Sequence, residues 1–242
     1  MSDLRIVTTE TGLEAPFAPA AVLVDKPQGL SSFGAVKKVR WATRIKKVGH
    51  AGTLDPMATG LLILLLGREA TRQQDRFMGL PKVYTGTVRL GQTTASYDAD
   101  SDVELTRDAS GITDEALDAV RERFTGTITQ TPPIYSAIKV GGERLYKKAR
   151  RGETTDTVEI KSREVEVTEC VWTGRRGDDV DFRIGCSKGT YIRSIAHDVG
   201  QALGVGAHLV ALRREAIGPF RADEAFPLTA FERDALGTAD PA

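Results

Sequence analysis

The longest purely apolar run, Leu61 to Leu66, has no polar residue in six, which predicts a strand buried on both faces. Just before it, His50 to Gly60 gathers glycines, one carboxylate and one proline, a composition that predicts a loop. Upstream, Ala21-Val22-Leu23-Val24 reads as a short strand ending in the breaker-rich turn Asp25 to Gly29. Ser31 or Ser32 is placed to cap a helix in which Val36 and Val39 share a face while the lysines point outward. Glu69 to Met78 is helical in composition, and Leu80-Pro81 ends it. Lys82 to Gly91 alternates as a strand, with Val83, Thr85, Thr87 and Arg89 on one side and Tyr84, Val88 and Leu90 on the core side.

The second half follows the same rules. Thr113 before Asp114 and Glu115 starts a helix whose Leu117, Val120 and Phe124 line one face. Paired prolines exclude a regular helix between Gln130 and Lys139, and Gly141 to Gly152 reads as a turn followed by a short basic helix. Strands are expected at Arg163 to Trp172 and Val180 to Cys186, around a turn at Gly174 to Asp178. Thr190 is expected to cap a helix with Ile192, Ile195, Val199 and Leu203 at helical spacing. Residues 1 to 20 show no sustained periodicity and read as a loosely attached arm. This alternation of hairpin-like strands with a few helices gives an α/β (α plus β) fold class.

Composition adds bounds. At 242 residues, 40% hydrophobic and 27% charged, the chain is ordinary globular protein. No apolar run approaches the roughly 18 residues that span a bilayer, and no signal-peptide core follows the first residues, so no membrane association and a cytoplasmic location are expected. Two cysteines, Cys170 and Cys186, are too few for a disulfide framework, and the three histidines show no metal-ligand spacing with them. No metal and no cofactor are expected. Lys plus Arg and Asp plus Glu balance at 33 each, yet the charges are segregated. Lys37, Lys38, Arg40, Arg44, Lys46 and Lys47 fall within eleven residues without an acid. Lys139, Arg144, Lys147, Lys148, Arg150 and Arg151 form a second basic block opposed by Glu143, and residues 98 to 118 carry eight acids and one Arg. Basic stretches of this kind meet phosphates even at zero net charge, or else are solvated helix faces.

Asp98-Ala99-Asp100-Ser101-Asp102 begins like a calcium loop, but Val103 stands where glycine is needed and Ala109 where a bidentate Glu is needed. A solvated acidic loop is expected instead. Asp55 precedes Pro56, which biases it toward extended backbone. Local features fit either an Asx-type turn residue or a catalytic carboxylate carried on a rigid strand.

The stretch Gly49-His50-Ala51-Gly52-Thr53-Leu54-Asp55-Pro56-x-Ala58-Thr59-Gly60 resembles the catalytic motif of the TruB-type tRNA pseudouridine synthases, which isomerise uridine 55 in the T-loop of tRNA. Asp25-Lys26-Pro27-x-Gly29-x-Ser31-Ser32, the Tyr84 strand, Ser187-Lys188-Gly189-Thr190-Tyr191-Ile192-Arg193 and Gly206 to Arg214 resemble further family segments. The resemblance spans roughly residues 21 to 220. It implies a large mixed, mostly antiparallel sheet flanked by helices, a catalytic Asp55 paired with Arg193, and Tyr84 and Leu212 against the target base. It further implies His50 filling the place of the flipped uridine, Asp98, Tyr191, Lys26 and Lys188 near the substrate, and a basic insertion at about 125–152 closing on the T-arm. Lys46, Lys47, Lys139, Arg144, Lys147, Lys148, Arg150 and Arg151 are the expected RNA contacts. A monomer with no obligatory protein partner is expected, with 221–242 as a short tail and no C-terminal RNA-binding domain; binding to tRNA would then be weaker and more salt-sensitive.

Two other readings compete. A non-catalytic RNA binder or chaperone keeps the basic blocks and has no use for Asp55. An aspartyl-phosphate enzyme takes Asp55 as nucleophile and Asp98-x-Asp100 as a magnesium site, but no phosphate-cradling glycine loop with Lys follows a strand.

Overall fold

The structure is a computed structural model that describes residues 4–154 and 157–232. Its elements, in chain order, begin with β1 (Arg5–Val7), β2 (Ala20–Lys26), α1 (Ser32–Thr43), β3 (Val48–Ala51) and β4 (Thr59–Leu66). Then come α2 (Arg68–Thr71), α3 (Gln74–Met78), β5 (Lys82–Leu90), β6 (Gln92–Thr94), β7 (Val103–Thr106), α4 (Asp114–Glu122) and β8 (Gly126–Gln130). The remainder is β9 (Lys139–Val140), β10 (Glu143–Arg144), α5 (Leu145–Ala149), β11 (Arg163–Arg176), β12 (Asp179–Cys186), α6 (Ile192–Ala202), β13 (Ala207–Ile217), β14 (Phe220–Arg221), β15 (Phe226–Pro227) and a 3-10 turn (Leu228–Phe231). The chain forms two compact units. One comprises the segments up to Tyr84 and from Leu212 onward, the other Thr85–Ala211.

In the first unit the predicted apolar strand is central. β2 pairs antiparallel with β4 along its whole length, from Ala20↔Leu66 to Lys26↔Gly60. β1 and β15 add to β2 in parallel. A strand has two edges, so β3, paired through Ala51↔Ile63, and β13, paired through Arg213↔Thr59 and Arg214↔Gly60, share the other edge of β4. Leu61, Ile63 and Leu65 join a core with Phe77, Leu23 and Ile217, while Leu62, Leu64 and Leu66, alternating to the opposite face, are also fully buried. Burial on both faces explains why no polar residue interrupts the run.

In the second unit β11 and β12 form a long hairpin, β8 pairs with the start of β11, and β5 neighbours β12 in strand order. α4 starts at Thr113, whose side chain accepts from Ala116 N. The insertion has a small core of its own, with Ile134, Leu145, Ala149 and Val158 buried together. Parallel and antiparallel pairings coexist, so the mixed α/β fold class holds.

Several expectations change. Arg5–Val7 of the supposed arm is a sheet strand, with Leu4 and Val7 buried. The helix expected over Glu69 to Met78 is two short helices separated at Arg72-Gln73. β11 runs on to Arg176, leaving Gly177-Asp178 as the hairpin turn. Thr190 does not cap α6, because its hydroxyl donates to Ser187 O at 3.0 Å. The N-cap position lies one residue later, at Tyr191, whose N–H donates to Gln130 Oε1 at 2.7 Å. Of the expected tail, 221–232 contributes β14, β15 and the fully buried Phe231; 233–242 lie outside the described residues.

Candidate active site

Asp55 occupies a turn closed by Ala58 N–H donating to Asp55 O at 3.1 Å. The residues around it are pinned by buried side chains. Ser32, in the first turn of α1, accepts from Leu54 N at 2.8 Å and donates to Leu54 O at 3.0 Å. Its neighbour Ser31 is the cap, accepting from Gly34 N, so the two candidate serines divide the roles. Arg214, only 1% exposed, donates from Nε to Leu61 O (2.7 Å), from Nη2 to Gly52 O (3.1 Å) and from Nη1 to Thr53 O (3.4 Å). One guanidinium fork therefore ties both ends of the Asp55 loop to β13. Gly60 is where β4 meets that strand. Its φ is +96°, and a Cβ there would lie 2.3 Å from Arg214 O, so no other residue fits.

Lys26 is fully buried, and its Nζ donates to Leu30 O (2.7 Å), Pro27 O (2.9 Å) and Pro56 O (3.4 Å). These bonds make it a clamp on the loop beside Asp55, in place of the exposed contact that a surface lysine would give. Gly29 N–H donates to Pro56 O at 2.8 Å and completes the clamp. His50 lies on β3 opposite Leu64, and its backbone carbonyl accepts from Gln74. Burial, then the charge of Arg214, lowers its pKa against a smaller upward contribution from a backbone bond to Gly52, so its ring is neutral at neutral pH. Tyr84 and Leu212 are both buried, on β5 and β13. Leu212 O accepts from Thr59 Oγ1 at 3.5 Å. The next residue, Arg213, turns the other way and pairs with Asp25 at 2.9 and 3.0 Å.

In the second unit Arg193 stands in the first turn of α6, buried, and meets Asp98 with Nε to Oδ2 at 3.4 Å. It also donates to Ser96 O (2.9 Å) and Tyr135 O (3.0 Å). Asp98 is only 2% exposed and accepts from Ser96 Oγ and from Asp100 N–H. The solvated acidic loop expected there is therefore wrong for Asp98, because its carboxylate is paired with the buried Arg193 inside the protein. Asp100 and Asp102 are exposed as expected. Gln130 accepts from Tyr191 N and donates to Tyr191 O at 3.0 Å, and Ser194 Oγ donates to Thr131 O at 2.9 Å. The root of the insertion is thus stitched to the start of α6. Tyr191 is half-buried with the Arg163 guanidinium over its ring, and Lys188 is exposed in the turn before it.

The basic insertion is less positive than its lysines and arginines suggest. Arg151 pairs bidentately with Glu143 at 2.6 and 2.7 Å and reaches Glu153 at 2.9 Å, while Lys148 meets Glu153 at 3.2 Å. Glu143 is therefore not the sole opposing acid. Lys139, Arg144, Lys147 and Arg150 form no ion pair among the described residues, although the Lys147 charge acts on Glu143, and Arg150 lies over the Tyr146 ring. Lys46 and Lys47, after α1, are exposed. Ser32 as a loop anchor, Gln130 and Arg214 were not found by sequence reasoning. For Arg214 a signal exists, since strand alternation allows only one of Arg213 and Arg214 to face outward.

Known proteins resemble this chain at several levels. Residues 40–192 match the family profile described as TruB family pseudouridylate synthase (N terminal domain). Residues 193–239 match that of the tRNA pseudouridylate synthase B C-terminal domain, so most of the stretch expected to be a bare tail falls inside a match. The chain is 48% identical over 219 residues to tRNA pseudouridine synthase B of Thermobifida fusca (strain YX), covering 87% of this chain and 73% of that protein. It is 47% identical over 211 residues to tRNA pseudouridine synthase B of Opitutus terrae, covering 87% and 86%. Among solved structures, a chain of a Cbf5-Nop10-Gar1 complex superposes with a TM-score of 0.68 at 30% identity, covering 94% of this chain and 58% of that one.

Proposed function

The chain belongs to the TruB family of pseudouridylate synthases, isomerases that act on RNA, and on that premise we propose that it converts the T-loop uridine of tRNA to pseudouridine with Asp55 as the reacting carboxylate. The observation that carries this reading is the pinning of the Asp55 loop. Ser32, Lys26 and Arg214 fix the backbone at residues 52–54 and 56. A carboxylate held in this way reaches a reacting atom without first having to be ordered.

The reaction breaks N1–C1′, rotates the uracil, forms C5–C1′ and releases the C5 proton to water. Substrate and product have the same composition and oxidation state, so a carboxylate, a cation to aim it and a flat apolar box meet its needs. Asp55 attacks or assists at the detaching base, Arg193 pairs with it, and Tyr84 and Leu212 sandwich the uracil. The uridine leaves its stack at a cost of a few kcal/mol, and the neutral His50 ring fills the vacated place. Asp98 aims Arg193, and Lys26 holds the loop. Tyr191, Lys188 and the exposed cations Lys139, Arg144, Lys147 and Arg150, with Lys46 and Lys47, contact the T-arm. The test uses tRNA tritiated at C5 of uridine. Wild type releases tritium to water and Asp55→Ala does not; an intact protein that binds tRNA and releases none would instead be an RNA binder.

A further inference from the structure

α1 buries one face, Ala35, Val36, Val39 and Ala42, against the first unit. Its other face carries two large aromatic side chains open to solvent, Phe33 at 56% and Trp41 at 58% exposure. Phe33, Lys37 and Trp41 follow at four-residue spacing and make one stripe, with Lys37 Nζ 5.3 Å from the centroid of the Phe33 ring. At the end of the helix Arg44 adopts a left-handed φ of 57°. The turn it makes sets Ile45 and Lys46 beside Trp41, and with Lys37, Arg40 and Arg44 they line a shallow pocket of about 310 Å³. No acid lines it. Cations near a helix C-terminus favour the helix dipole, which accounts for Arg40 and Arg44 but not for the exposed indole of Trp41 beside them.

We propose that this face is a binding site for an unpaired nucleotide of the RNA substrate, its base stacked on Trp41 and its flanking phosphates on Arg40, Arg44 and Lys46. The proposal rests on the RNA-isomerase reading. Charge complementarity selects a polyanion, and the ring beside the cations selects one that carries unstacked bases. An anionic membrane suits the face poorly, because Lys37 interrupts the aromatic stripe and the continuous apolar side of α1 is already buried. The helix that would seat this nucleotide also anchors the Asp55 loop, through Ser32 to Leu54.

The protein has two tryptophans, so Trp172→Phe leaves Trp41 as its only indole. In that background, unmodified tRNA transcript is expected to quench the emission, while a blunt RNA duplex without loops leaves it unchanged. By filter binding, Trp41→Ala raises the Kd for tRNA by about tenfold, the lower part of the range for one stacked base, and Trp41→Phe restores most of the affinity. An unchanged Kd in Trp41→Ala overturns the site, as does quenching by phosphatidylglycerol vesicles in place of tRNA. C5-tritium release, measured in parallel, separates the two ideas. Release with no dependence of binding on Trp41 discards the site and keeps the enzyme, whereas quenching by tRNA without any release keeps the site and discards the isomerase reading.

Discussion

The Asp55 loop and the basic insertion are both irregular backbone between regular elements, yet they are held by opposite means. Around Asp55, buried side chains of Ser32, Lys26 and Arg214 donate to or accept from backbone groups. In the insertion, Arg151, Glu143, Glu153 and Lys148 pair across an accessible surface over a core of four small or medium side chains. Buried bonds to backbone leave few alternative geometries and cost much to break, whereas exposed ion pairs exchange readily with water, salt or phosphate. The first arrangement suits a group that must stand still for chemistry; the second suits groups that release one partner to take another.

The sharpest way to break the contrast is Arg214→Met, which keeps length and bulk but removes the donors facing three carbonyls. It is expected to lower stability by at least about 3 kcal/mol, read from urea unfolding, and a loss under about 1 kcal/mol would mean that the loop is not held as described. Asp198→Asn comes next. Burial pushes the Asp198 carboxyl up to about 6, so at pH 7.5 the native state carries a desolvated charge that the unfolded state does not. The substitution therefore stabilises the protein by about 1–2 kcal/mol at pH 7.5. The gain shrinks as pH falls through 6 and vanishes below the ordinary carboxylate range, and thermal melts across pH follow it. A pH-independent difference would contradict the assignment. Smallest for stability is Lys147→Ala with Arg150→Ala. The melting temperature stays the same, and the slope of log Kd for tRNA against log salt falls by about two, one for each phosphate that no longer meets a cation.

What the sequence makes legible follows the same division. The six apolar residues of β4, the Thr113 cap and the alternation of β5 were legible because burial of a strand face or a cap leaves a local pattern. Lys26, Lys82 and Arg214 were not, since a cation in a strand normally signals a solvent face. Here each is buried with its charge spent on carbonyls, Lys82 on those of Met78 and Leu80. Asp98 was misread because its partner lies 95 residues downstream at Arg193. Asp55 itself was legible only through the motif around it, as an Asp-Pro turn carries no local mark of what its carboxylate does.

Catalysis carried by a fixed Asp55 carboxylate, as proposed, is probed most directly by Asp55→Glu. The charge is kept and moves by about one methylene. At saturating tRNA, the single-turnover rate of C5-tritium release is expected to fall by about a hundredfold or more, with the Kd for tRNA unchanged. A Glu variant that reacts within about threefold of wild type would mean that the position of the carboxylate does not set the rate.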